Sequence, residues 1–306
     1  MFLENAITGK NQFWRYLVST IVIFIGLIIG QLPLGVLLVF EQMQGTDISG
    51  FEKNMDFSLI GIDPNLGLAL IILSFIGGFF ALIIAVKFIH NKNFKDVITS
   101  HSKIQWNKVF WAFGLWMALS IFAEIGFYYN DTANYTYQFN LELFIPLVLV
   151  SLLLMPFQTS FEEIFIRGYL MQGIGMISVF RIIPLIITSL IFGGLHIMNP
   201  EIESFGLGVM MAFYVGFGLV MGIITIMDDG LELPLGIHAA NNIYASVFVT
   251  YAGGALQTSA IFKVEKLDQN LMVIGWAVIS VIFIFWAAKK YGWQNWSKLL
   301  GRIDFK

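Results

Sequence analysis

Phe161-Glu162-Glu163-Ile164-Phe165-Ile166-Arg167 sets two carboxylates and a guanidinium inside a largely apolar and otherwise uncharged run from about 146 to 172. In a soluble protein such a helix would turn its charges to water. Here no other charged residue flanks them within the run, and most of the long apolar stretches of the chain carry no charge at all. Stretches at about 16–40, 66–89, 109–128, 146–172, 182–198, 206–227, 233–251 and 270–288 are each long enough, or nearly so, to span a bilayer core of roughly 20 residues per helix. The sequence therefore predicts an all-α integral membrane protein, a bundle of about eight transmembrane helices.

Composition agrees. Of 306 residues 58% are hydrophobic and 12% charged, against about 25% charged in soluble domains. The net charge of −3 comes without a basic run, so nucleic acid is not an expected partner. With no Cys, disulfides, thiolate metal sites and a cysteine nucleophile are all excluded. Glu4 and Lys10 precede the first apolar run, and no small-residue cleavage pattern follows it, so the first span is expected to stay as an anchor.

Charge also orients the spans. Lys10 and Arg15, then Lys87, Lys92, Lys95, Lys103 and Lys108, then Arg181, then Lys289, Lys290, Lys298, Arg302 and Lys306 fall on one side; Lys53, Lys263 and Lys266 fall on the other. The positive-inside rule places both termini in the cytoplasm, with the plasma membrane as the expected location, and requires an even number of crossings. The segment 41–65, with Asp47, Glu52, Asp56 and Asp63, reads as a solvated acidic loop on the far side. His90 and His101, in the Lys-rich connection, read as solvated too. Three regions follow: helices one to three (1–145), a polar-bearing core (146–245), and the end of helix seven with the last span and tail (246–306). No internal repeat of the kind that marks inverted-repeat transporters is visible.

Ionisable groups within spans are expensive and usually functional. They gather in the core. Glu163 and Arg167, four apart, share a helix face and can pair. Glu162 is turned about 100° away, and a desolvated carboxylate without a full partner can serve as a general base near neutral pH. Phe192-x-x-x-His196 puts a histidine near the end of the fifth span, and His238-x-x-x-Asn242 puts two hydrogen-bond donors on one face of the seventh. Two fixed donors aimed at one point can stabilise an oxyanion. Polar groups in membrane bundles also act as interhelical glue, and each cluster alone would suit that reading. Three clusters on three spans argue for a site. Glu124, at the end of the third span, reads as structural or interfacial.

At these residues the sequence resembles the CPBP family, which includes type II CAAX prenyl endopeptidases and bacteriocin-processing or immunity membrane proteins. Its motifs Glu-Glu-x-x-x-Arg, Phe-x-x-x-His and His-x-x-x-Asn stand here, in order, as Glu162, Glu163 and Arg167, Phe192 and His196, and His238 and Asn242. The resemblance implies hydrolysis of a peptide bond in a membrane-associated or prenylated-type substrate: Glu162 and His196 activating water, His238 and Asn242 forming the oxyanion hole, Glu163, Arg167 and Phe192 in support. It also carries the label metalloprotease. Zinc would draw on Glu162, His196 and His238; the metal-free form is preferred, because no helix carries two His at ligand spacing. Two competing readings remain: a transporter or proton pathway through the same polar cluster, and a non-catalytic immunity or scaffold protein. For Glu162 and His196 to hold one water, the fourth helix must run on from about 146 to 172, kinked at Pro156.

Overall fold

The computed structural model describes residues 1–305; Lys306, counted above with the basic tail, lies outside them. In chain order the helices are α1 (Phe13–Met43), α2 (Ser49–Asn54), α3 (Pro64–Ile84), α4 (Trp106–Asn130), α5 (Leu141–Leu153), α6 (Met155–Glu163), α7 (Met171–Ile177), α8 (Ile182–Leu195), α9 (Pro200–Phe205), α10 (Leu207–Asp228), α11 (Glu232–Val247) and α12 (Gln269–Tyr291). Six helical runs are long and apolar enough to cross a membrane: α1, α3 with its π-helical end, α4, the run Leu141–Ile177, α10 and α12. The expected fifth and seventh spans are helical but shorter than 182–198 and 233–251 suggested. α8 has 14 residues and α11 has 16, and each stops where the chain turns to build the polar site. The fold is thus an all-α membrane bundle with six full-length candidate spans and two short helices among them.

The expected long fourth helix is present, as Leu141–Ile177. It has two irregularities. One falls between α5 and α6, where Pro156 starts the new helix, since its ring removes a backbone donor and crowds the preceding turn. The other is a π-helical segment, Ile164–Leu170, that joins α6 to α7 within the motif itself. α1 and α3 pack with bare backbones in contact. A Cβ on Gly30 would stand 2.1 Å from the Leu73 carbonyl oxygen, and one on Gly77 2.2 Å from that of Gly26. The spacing Gly26-x-x-x-Gly30 is the small-residue pattern that lets membrane helices approach closely, and Ser74 adds a hydrogen bond from Oγ to the Leu27 carbonyl at 3.0 Å.

Both termini lie at one end of the bundle. Arg181 reaches Glu4 and the Arg302 carbonyl, Lys298 pairs with Asp229 at 2.6 Å, and the Phe2 amide donates to Asp229 at 2.9 Å. An even number of crossings requires this. His90 also lies at this end but is buried, not solvated. Its Nδ1–H donates to the Lys10 carbonyl (2.8 Å) and its Nε2 accepts from the Tyr169 hydroxyl (2.9 Å), so burial leaves neither nitrogen unpaired.

The opposite end differs from expectation in two ways. Residues 44–63 are not merely a solvated loop: Ile48, Phe51, Phe57, Ile60 and Ile62 close over Leu34 in a small apolar cluster. Asp56 and Asp63 are spent on helix caps, accepting from Ser58 and from Asn65 and Leu66. A small sheet also forms here from β1 (Tyr135–Tyr137), β2 (Val249–Tyr251) and β3 (Phe262–Val264), with β3 central, antiparallel to β1 and parallel to β2. Above it Glu124 accepts from the hydroxyls of Tyr135 and Tyr244, the structural use expected of it.

Candidate active site

Glu163 lies at the end of α6 with no exposed side-chain surface, and its Oε1 accepts two hydrogen bonds. One comes from Arg167 Nη1 at 3.0 Å, across the first turn of the π-helical segment. The other comes from His238 Nδ1 at 2.7 Å, on α11. Because a carboxylate can only accept, His238 carries its proton on Nδ1, and its Nε2 is turned toward Glu162 Oε2, 3.3 Å away. The arginine is equally buried, and its guanidinium lies 4.2 Å over the ring of Phe192. Its Nε and Nη2, and Oε2 of Glu163, have no partner among the described residues. A fully buried ion pair of this kind contributes little to stability as such. Its visible effect is to fix the His238 ring.

Phe192 does two things. Its face receives Arg167, and its carbonyl accepts Nδ1–H of His196 at 2.7 Å. That bond leaves His196 Nε2 as a bare acceptor. The ring is held by Tyr214 of α10, stacked at 4.1 Å between centroids. His196 caps the C-terminus of α8, where the chain turns toward α9.

Glu162, His196, His238 and Asn242 all line one cavity of about 150 Å³. The Glu162 side chain is 16% exposed, against none for Glu163, so the two adjacent carboxylates differ as their helical positions require: one buried and paired, one at the cavity wall. No direct hydrogen bond joins Glu162 to His196 among the described residues; both face the same space. Asn242 accepts from Asn241 Nδ2 at 3.2 Å through its oxygen, which leaves its own amide nitrogen free to donate. His238, expected as a plain donor beside Asn242, instead touches both glutamates.

Among the described residues no three His, Asp or Glu side chains are grouped as a metal would need. The Nδ1 atoms of His196 and His238 are engaged by the Phe192 carbonyl and by Glu163, which leaves the two Nε2 atoms as the nitrogens that zinc would have to use.

Sequence reasoning missed Gln158, Asn199, Glu201, Tyr214, Asn241 and Tyr251, which line the same cavity. Gln158 carried a signal, since it stands four residues before Glu162 and so shares its face. Asn199-Pro200-Glu201 reads as an ordinary helix start, and nothing local shows that it folds back over His196.

Residues 141–244 match the family model for the type II CAAX prenyl endopeptidase Rce1-like family. An uncharacterized protein of Bacillus subtilis (strain 168), YyaK, is 31% identical over 247 residues, covering 80% of this chain and 80% of its own length. No solved structure matches. The chain belongs to the Rce1-like family.

Proposed function

We propose that this member of the Rce1-like family is an intramembrane endopeptidase that hydrolyses a peptide bond of a membrane-associated, prenylated-type peptide with Glu162 as the base. One observation carries the reading: beside a buried glutamate held through Oε1 by both Arg167 and His238 stands a second glutamate, at a cavity wall, facing the free nitrogen of that same histidine. A scaffold has no use for such a division.

Water in the cavity loses a proton to Glu162 while it attacks the carbonyl carbon, and the bare Nε2 of His196 accepts its other hydrogen. The charge that develops on the carbonyl oxygen is received by Asn242 Nδ2. The 3.3 Å contact gives the proton a path from Glu162 to His238 Nε2, which makes the imidazolium a second donor to the oxyanion. Glu163 stabilises that cation through Nδ1. The same proton goes to the departing amine when the carbon–nitrogen bond breaks, which returns Glu162 and His238 to their starting states. No step is drawn through a metal.

Glu162→Gln keeps the shape of the side chain and removes the base. It should abolish cleavage of membrane peptides, read by mass spectrometry of vesicle-reconstituted protein, while expression and melting temperature stay at wild-type values. A variant that cuts at the wild-type rate would sink the assignment. If no peptide is cut by either protein while Glu162→Gln abolishes proton flux into vesicles, the transporter reading replaces this one.

A further inference from the structure

The cavity has a second acidic end. Glu201, the second residue of α9, is 4% exposed. Its Oε1 accepts the backbone N–H of Ala255 at 2.7 Å, and its Oε2 has no partner among the described residues although it is buried. Burial pushes the Glu201 carboxyl above the ordinary carboxylate range, against the backbone bond from Ala255 and the polar side chains of Tyr214 and Asn199, which help to hold its charge. A buried carboxylate oxygen left without a donor is costly, and the mechanism above does not use this one. What faces it is informative. Among the described residues that line the cavity there is no Lys or Arg, while Phe213, Tyr214 and Tyr251 supply aromatic surface. Lys53, a basic side chain at this end, is exposed and paired with Glu203 at 3.0 Å. Aromatic faces beside a buried carboxylate that has neutral donors but no cationic partner form the environment that attracts an organic cation.

We propose that Glu201 is a specificity subsite that receives a cationic side chain, the ammonium of Lys or the guanidinium of Arg, on a substrate residue close to the cleaved bond. The proposal rests on the peptidase reading for its meaning but not for its test, because binding is read apart from cleavage. The neutral group of a protonated Glu201 cannot form the ion pair, so the carboxylate form is the one that selects.

The test uses full-length protein in lipid nanodiscs and short acetylated, amidated apolar peptides that carry either one Lys or norleucine in its place. Wild type should bind the Lys peptide about tenfold more tightly or better, the range for a close charge pair in a desolvated interface. Butylammonium should compete for it and butanol should not. Glu201→Gln, which keeps the acceptor for Ala255, should bind both peptides alike, and Glu203→Gln, which neutralises an exposed carboxylate, should leave the preference intact. Equal binding of the two peptides by wild type, or a preference that survives in Glu201→Gln, would overturn the proposal. Should the variant fail to fold, the wild-type comparison and the butylammonium competition decide alone. A Lys preference lost in Glu201→Gln, in a protein that cuts none of the peptides, would uphold the subsite and count against the peptidase.

Discussion

Two seams in this bundle are closed by opposite means. Between α1 and α3 side chains have been removed: Gly26, Gly30 and Gly77 bring backbones together, and a single methyl group would strike a carbonyl. Between α6 and α11 polar side chains do the joining, and Glu163 draws Arg167 and His238 onto one oxygen. In lipid, apolar side chains gain little from leaving one hydrocarbon surface for another, so helices hold by close approach or by polar contact. The first route gives contact with no chemistry. The second places titratable groups at fixed distances, at the cost of burying charge. The molecule uses the first where only architecture is needed and the second at the proposed active site.

The contrast can be broken most severely at Arg167. Arg167→Ala leaves Glu163 buried with only His238 as partner and should destabilise the protein by about 3–5 kcal/mol, seen as lost expression or a much lower melting temperature in detergent. A stable but inactive variant would show that the guanidinium acts on the reaction itself. Asn242→Ala touches the chemistry and spares the seam. It should lower turnover roughly 10²–10³-fold with little change in peptide affinity, so single-turnover rates separate it from a folding defect. Gly30→Leu tests the other seam. Overpacking costs about 1–3 kcal/mol, and the melting temperature should fall while the surviving protein keeps its wild-type turnover; a selective loss of kcat would mean that the glycine seam also shapes the site. The smallest effect is expected from a strong chelator, which should leave activity unchanged. A loss that zinc restores would assign a metal role to the polar seam.

How much of this could be read from the chain depends on what a residue reports about itself. A carboxylate among Phe and Ile declares its own burial cost, so Glu162, Glu163 and Arg167 stood out at once, and the spacing of four foretold their pairing. The placement of both ends on one face followed from the distribution of Lys and Arg. Other features belong to pairs of distant segments. His90 sits among lysines, and only the Lys10 carbonyl and the Tyr169 hydroxyl, far away in sequence, make its burial affordable. Glu201 reaches the cavity because α8 stops short and the chain doubles back. The π-helical turn at Ile164–Leu170 has no composition of its own; it arises where α6 and α7 must each satisfy different neighbours. Gly26 and Gly30 were not singled out, because a glycine pair becomes a seam only once its partner helix is known.

The short α8 also sets a relation between this protein and its lipid. Fourteen residues rise about 21 Å, against a hydrocarbon thickness of about 30 Å in a typical bilayer. A helix that falls short is accommodated by local thinning of the membrane or by burial of its end among neighbours, and that mismatch has a cost that scales with lipid chain length. His196 is the residue at that end. In a thin bilayer its turn is expected to lie nearer the headgroups than in a thick one, so the depth of the His196 turn should follow acyl chain length.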